Sequence, residues 1–126
     1  MRVFAETAEP ALLDALVARH ERAIEALERD GFTQAIAPEI VAIDAALHVE
    51  IIAALGNPLI VSTHRRVHNY LQLIRLDRTL STPIVMRTLR EHMTLLEACK
   101  ARDADAAETA LQAHFSNALQ RTLGIF

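Results

Sequence analysis

The chain has 126 residues, which is enough for one hydrophobic core and too few for two ordinary domains. Hydrophobic residues make up 52% of it, with three Gly and four Pro, and this composition favours packed helices over a sheet or disorder. The formal net charge of -3 leaves no basic surplus for following a phosphate backbone, so this chain alone is not expected to bind DNA.

Signals of export and of membrane insertion are missing from these residues. The single cysteine, Cys99, cannot form an internal disulfide, which fits a reducing compartment. No apolar run reaches the roughly 18 residues of a membrane helix, and no basic start followed by an apolar signal core opens the sequence. We therefore expect a cytoplasmic protein with no membrane partner.

Two helices are predicted in the first quarter of the chain. Residues 2–7 are interpreted as the tail of a helix, and Pro10 then suits the first turn of another helix that ends at Gly31. Apolar residues recur along this second helix at three- and four-residue steps, and His20 lies at the edge of that stripe. A single histidine in such a place is expected to be a packed or boundary residue, so we assign it no functional role.

The stretch from Ile36 to Asn57 places ionisable groups on an apolar helical face. Pro38 suits the first turn of a helix, and Gly56 suits its left-handed C-terminal cap. Asp44 and His48 lie four residues apart and are neighbours on the face predicted to meet the core. The apolar members of that face are Ile40, Leu47, Ile51 and Leu55. A carboxylate placed there needs a cation, a proton or several hydrogen-bond donors as its partner.

A long helix is predicted next, from Leu59 to about Arg78. Its inward side is predicted to consist of Ile60, Val67, Leu71 and Ile74. His64 and His68 stand four residues apart on this helix, a spacing that suits a pair of metal ligands. Because Arg65 and Arg66 between them would oppose a cation, we interpret this histidine pair as part of a solvated face.

Two more helices complete the chain. Residues 81–83, two capping hydroxyls followed by proline, are a strong start signal for a helix that extends to about Arg102. An aspartate at position 103 or 105 caps the last helix, which Gly124 closes. The apolar stripe of each of these helices contains a histidine.

Three helices thus each carry a histidine in an apolar stripe, and one of them adds an aspartate. For one buried histidine alone, a core position with one hydrogen bond is the simpler interpretation. Leaving four polar groups unsatisfied would cost about 1–3 kcal/mol each, whereas one shared divalent cation satisfies all of them. The imidazole and carboxylate set suits zinc, nickel, iron, cobalt or manganese and disfavours calcium. The four candidate ligands are Asp44, His48, His92 and His114.

Two segments of the chain resemble a known family. The segment from Asp44 to Ile60 reads DAALHVEIIAALGNPLI, and the segment from Arg90 to His114 reads REHMTLLEACKARDADAAETALQAH. An Asp and a His four apart before a G-N turn, then Glu-His, an Arg-Asp step and a final His resemble the FCD domain. That domain is the effector-binding C-terminal part of FadR-type regulators in the GntR transcription factor family. Leu47 stands where the family usually has Phe, a change expected to affect packing only.

The resemblance implies an all-α, antiparallel bundle of about six helices, with the family's first helix largely missing and residues 1–126 forming one domain. It implies one divalent transition metal whose protein ligands are Asp44, His48, His92 and His114. It also implies a small organic acid as effector, such as lactate, citrate or a sugar acid, bound partly through the metal. Arg75 or Arg65 is expected to offer a guanidinium to the carboxylate of that effector.

The expected function is transcription regulation, in a homodimer whose effector changes the spacing of two DNA-binding modules. DNA contact would then depend on an N-terminal winged helix-turn-helix that these residues do not include; without it the chain would be a stand-alone sensor. On this interpretation the chain is not an enzyme and has no catalytic residues. The alternatives are a small helical-bundle metalloenzyme of the DinB-like kind, in which three histidines activate a water or thiol, and a purely structural metal bundle.

Overall fold

The computed structural model describes the backbone of residues 1–75 and 81–123, and the side chains within these ranges except those of 71–75 and 122–123. Over this part of the chain it contains helices and no strand, which confirms the predicted all-α class. The helices are α1 (Arg2–Thr7), α2 (Pro10–Asp30), α3 (Ala37–Ala53), α4 (Pro58–Arg75), α5 (Thr82–Lys100) and α6 (Ala104–Leu123). None of the helices in the described ranges has the length and apolar character needed to span a membrane.

Proline and glycine mark several of the helix boundaries. Pro10 occupies the first turn of α2, where a missing backbone N–H costs nothing. Gly31 and Gly56 follow α2 and α3 with φ values of 71° and 66°, a left-handed conformation that strains any residue with a Cβ. The helix ends predicted at Arg78 and Gly124 lie outside the described residues.

The core consists of two apolar clusters that follow each other along the bundle. A helical hairpin of α5 and α6 packs against α1 and α2, and α3 packs against α2. One cluster includes Phe4, Leu13, Leu16, Leu47, Leu95 and Leu96. The other includes Ala23, Leu27, Ile40, Ile43, Val85 and Leu89. On α2 and on α5, the stretch between the two clusters contains a fully buried histidine, His20 on α2 and His92 on α5.

Helix α4 is less embedded than its sequence pattern predicts. Among the described residues it packs against α3, so most of its circumference has no helical neighbour. Ile60 and Val67, predicted to face inward, are 38% and 51% exposed, and that prediction is wrong for both. The side chains of Leu71 and Ile74 lie outside the described residues. Leu55 was also predicted to face the core, but it lies just beyond the end of α3 and is 45% exposed.

Candidate metal centre

Three helices bring four polar side chains together within the bundle. Helix α3 contributes Asp44 and His48, α5 contributes His92, and α6 contributes His114. One potential ligand atom from each residue lies within 4.8 Å of the corresponding atoms of the other three. The four residues named from the sequence are therefore neighbours in space, and their role as metal ligands stays a prediction.

The distances within this cluster suit a single ion. The Nε2 atom of His92 lies 3.3 Å from Nε2 of His114 and 3.5 Å from Oδ1 of Asp44. The same Asp44 oxygen lies 3.4 Å from Nε2 of His48. An ion with bonds of about 2.0–2.2 Å spans ligand atoms that are about 2.8–4.4 Å apart. Nitrogen and oxygen donors of this kind, at these separations, fit a divalent transition metal.

The cluster is closed on one side and accessible on the other. His92 is fully buried and His114 is 4% exposed. The side chains of Asp44 and His48 are 20% and 16% exposed. Phe115 flanks this side of the cluster, with its ring stacked on that of His48 at a centroid distance of 6.0 Å. A molecule that enters from solvent would therefore reach the cluster beside α3.

Burial keeps the inner imidazoles neutral at physiological pH. Desolvation lowers the pKa of His92 from its ordinary value to about 2, against the opposing charge of Asp44. Desolvation also lowers the pKa of His114, although its hydrogen bond to Glu91 acts in the opposite direction. A histidine must be neutral to coordinate a metal, so both side chains hold a lone pair available for binding.

Glu91 fixes the ring of His114 from behind. Its Oε2 accepts a hydrogen bond from Nδ1 of His114 at 2.6 Å, and Asn117 and Arg121 donate to the same carboxylate. Burial raises the pKa of Glu91, but the hydrogen bonds from Arg121, His114 and Asn117 together bring it below its ordinary value. The ionised carboxylate leaves Nε2 of His114 as the free electron-pair donor. No sequence pattern singles out Glu91 for this role.

His20 is a second residue that the sequence analysis missed. Its side chain is fully buried, with Nδ1 at 2.7 Å from the backbone oxygen of Leu16 and Nε2 at 3.1 Å from Nδ1 of His92. The expectation that His20 packs in the core agrees with this burial, but its contact with His92 was not foreseen. Its position on an apolar stripe is the same signal that singled out His92 and His114.

The remaining candidates from the sequence lie elsewhere or outside the described residues. His64 and His68 stack on each other along α4, with ring centroids 6.0 Å apart. Arg65 is exposed and borders a surface groove beside the α3–α4 turn, and none of the four clustered residues lines that groove. Arg75 ends α4, and its side chain lies outside the described residues. The effector-binding roles of both arginines stay predictions.

Comparison with known proteins identifies one family. The family model for the FCD domain matches residues 1–117, a range that contains all four clustered residues. No curated protein and no solved structure gives a significant match to the chain.

Proposed function

The chain belongs to the FCD domain family, the effector-binding domains of GntR-type regulators, and we propose that it senses a small carboxylate through one divalent metal ion. The observation that carries this proposal is the set of four nitrogen and oxygen donors that three helices bring within 4.8 Å of one another. Zinc, nickel, iron, cobalt and manganese all suit this donor set. Because the donors come from separate helices, an ion held by them links α3, α5 and α6.

The charges around the cluster favour an anionic effector. Asp44 contributes a carboxylate to the cluster itself, whereas the carboxylate of Glu91 is paired with Arg121 at 3.0 Å. With a divalent ion bound, the cluster would keep a net positive charge in a partly buried setting, where charge interactions are stronger than in water. When bound, such an ion supplies an electrophilic centre that attracts carboxylate oxygens.

The effector would reach the metal from solvent through the partly exposed side of the cluster. Asp44 and His48 are its partly exposed members, so a small acid would approach beside α3. We propose that Arg75 or Arg65 on α4 assists by pairing with the effector's carboxylate, since α4 packs against α3. Effector binding would then change how α3, with α4 packed on it, is held against α5 and α6 at the cluster, which is the kind of differential contact that allosteric control requires.

Family membership is the basis on which we propose an oligomeric state and a DNA-binding domain. A GntR-type regulator couples its effector domain to a DNA-binding domain, so DNA contact would come from a winged helix-turn-helix outside residues 1–126. We propose that the chain acts as a homodimer and that it works in the cytoplasm. The family's regulatory role also favours a binding domain over an enzyme.

A thermal-shift screen tests the proposal directly. Lactate, citrate and sugar acids are added separately to metal-loaded protein, to chelated protein and to the site variant His114→Ala. A ligand at about one hundred times its dissociation constant adds about 2.7 kcal/mol of stability, which is readily measured. We expect at least one carboxylate to raise the melting temperature of the metal-loaded protein only.

Two results would contradict the proposed mode of sensing. Stabilisation that survives chelation, and that persists in the His114→Ala variant, would place the effector away from the metal. Chemical conversion of a carboxylate by the metal-loaded protein would favour the metalloenzyme alternative instead.

A further inference from the structure

His20 lies behind the candidate metal centre, on a helix that contributes none of its four donors. Over the described side chains, the buried polar residues are His20, His92 and His114. His20 projects from α2 toward α5, and its ring meets that of His92 edge-on at a centroid distance of 5.2 Å. A fully buried imidazole between two apolar clusters needs a reason, because apolar residues of similar size would pack there without a polar cost.

The hydrogen-bond partners of His20 determine where its proton sits. The backbone oxygen of Leu16, 2.7 Å from Nδ1, can only accept, so Nδ1 must carry a hydrogen. The ring of His20 is fully buried, and its hydrogen-bond partners are a carbonyl oxygen and another imidazole, so the ring is neutral and has no second hydrogen for Nε2. The Nε2 atom of His20 is therefore an acceptor.

The acceptor role of His20 determines where the hydrogen of the next ring, that of His92, sits. Nε2 of His20 lies 3.1 Å from Nδ1 of His92, and since the former accepts, the latter must donate. A neutral imidazole with its hydrogen on Nδ1 has its lone pair on Nε2. In His92 that atom is the one near Asp44 and His114.

We propose that His20 is a positioning residue, which holds His92 in the Nδ1–H tautomer and thereby directs the Nε2 lone pair of His92 into the metal centre. The proposal rests on the proposed metal-binding function. Residues that orient a metal-ligating histidine in this way usually do so through a carboxylate, a carbonyl or a water. Here a neutral imidazole, itself anchored to the backbone of α2, serves as the acceptor.

In the protein without metal, the rings of His92 and His114 repel each other. Glu91 holds the hydrogen of His114 on Nδ1, just as His20 holds that of His92. The two Nε2 atoms, 3.3 Å apart, then face each other with lone pairs and no hydrogen between them. Such an arrangement is repulsive until a cation lies between the two nitrogens, so His20 and Glu91 together prepare the centre for a metal.

Metal affinity measured on two variants of His20 and one control tests the proposal. In His20→Leu the acceptor is lost, and in His20→Gln the amide oxygen can still accept from His92. We expect the Leu variant to bind zinc or nickel about 10–100-fold more weakly than the unaltered protein, and the Gln variant to recover most of that loss. Leu27→Ala is the control, because Leu27 is equally buried on α2 but belongs to an apolar cluster. It should lower stability and leave metal affinity unchanged.

Nitrogen-15 NMR of the imidazole rings supplies a readout that does not need metal. We expect His92 of the metal-free, unaltered protein to carry its hydrogen on Nδ1, and His20→Leu to shift it toward Nε2. A hydrogen on Nε2 of His92 in the unaltered protein would overturn the proposal. So would a His20→Leu variant that binds metal as tightly as the unaltered protein. If the unaltered protein binds no metal, the proposed function fails, and the NMR measurement still decides whether His20 sets the tautomer.

Discussion

At the scale of single residues, the neutral histidines make stability depend on pH. Burial lowers the pKa of His20, His92 and His114 below the ordinary value of 6.5, in the case of His92 to about 2. Below about pH 6.5 the unfolded chain takes up more protons at these positions than the folded chain does. The unfolded state then binds more protons, so the free energy of unfolding of the metal-free protein must fall as the pH falls.

We expect this loss to be visible between about pH 7 and pH 5, at up to about 1.4 kcal/mol per pH unit for each histidine that stays neutral. Denaturant unfolding of chelated protein at several pH values measures it. The variant His92→Gln, which removes one titrating ring, should show a shallower dependence. A free energy of unfolding that does not change over this range would show that the buried histidines accept protons in the folded state.

The four clustered residues were predictable because a helix repeats every 3.6 residues. Asp44, His48, His92 and His114 each fall on an apolar stripe, and a polar group on such a stripe is conspicuous in the sequence alone. The stripe position of His20 is equally visible in the sequence, but its contact with His92, and the contact of Glu91 with His114, could not be found that way. They depend on atoms that meet across helices at 3.1 Å and 2.6 Å, and no local pattern encodes which stripe faces which.

At the scale of elements, the turn between α5 and α6 ties the hairpin to the start of the chain. Arg102 in this turn has a φ of 57°, a conformation that costs energy for a residue other than glycine. Its guanidinium donates to the backbone oxygens of Ala5 at 3.1 Å and Ala8 at 2.7 Å. These carbonyls lie at the end of α1, so one side chain satisfies groups that the helix leaves without partners.

Replacing this arginine should therefore weaken the attachment of α1. We expect Arg102→Ala to lower the free energy of unfolding by about 1–3 kcal/mol, since hydrogen bonds from a charged donor are lost. Metal affinity should not change, because α1 contributes no donor to the cluster. Arg90→Ala is the control, since Arg90 and its partner Glu28 are 64% and 57% exposed and such pairs contribute little. Equal stability of the two variants would contradict this role of Arg102.

The helices themselves were largely predictable, and the burial of their faces was less so. Proline in the first turn and glycine past the end mark α2, because both residues have backbone preferences that act locally. For the apolar residues of α4, the predicted burial and the observed burial differ. An apolar stripe such as Ile60 and Val67 indicates which side of a helix would gain from burial. Whether another helix packs against that side depends on the packing of the remaining helices.

At the scale of the whole molecule, the fold class followed from composition and periodicity, and the family followed from motif spacing. The all-α bundle and membership of the FCD family are confirmed. The order of layers was not predictable. The two apolar clusters have a layer of histidines between them, formed by His20, His48, His92 and His114. This arrangement arises only when α2, α3, α5 and α6 pack in one particular register. That register turns separate polar positions into one site.

The central claim is that Asp44, His48, His92 and His114 hold a metal ion. Elemental analysis of protein purified without chelator tests this claim most directly. We predict about one divalent transition metal per chain, since the four clustered residues form one site. The variants His92→Ala and His114→Ala should lose that metal, and His64→Ala and His68→Ala should keep it. Unaltered protein that contains no metal, binds none when it is added and is equally stable with and without chelator would contradict the claim.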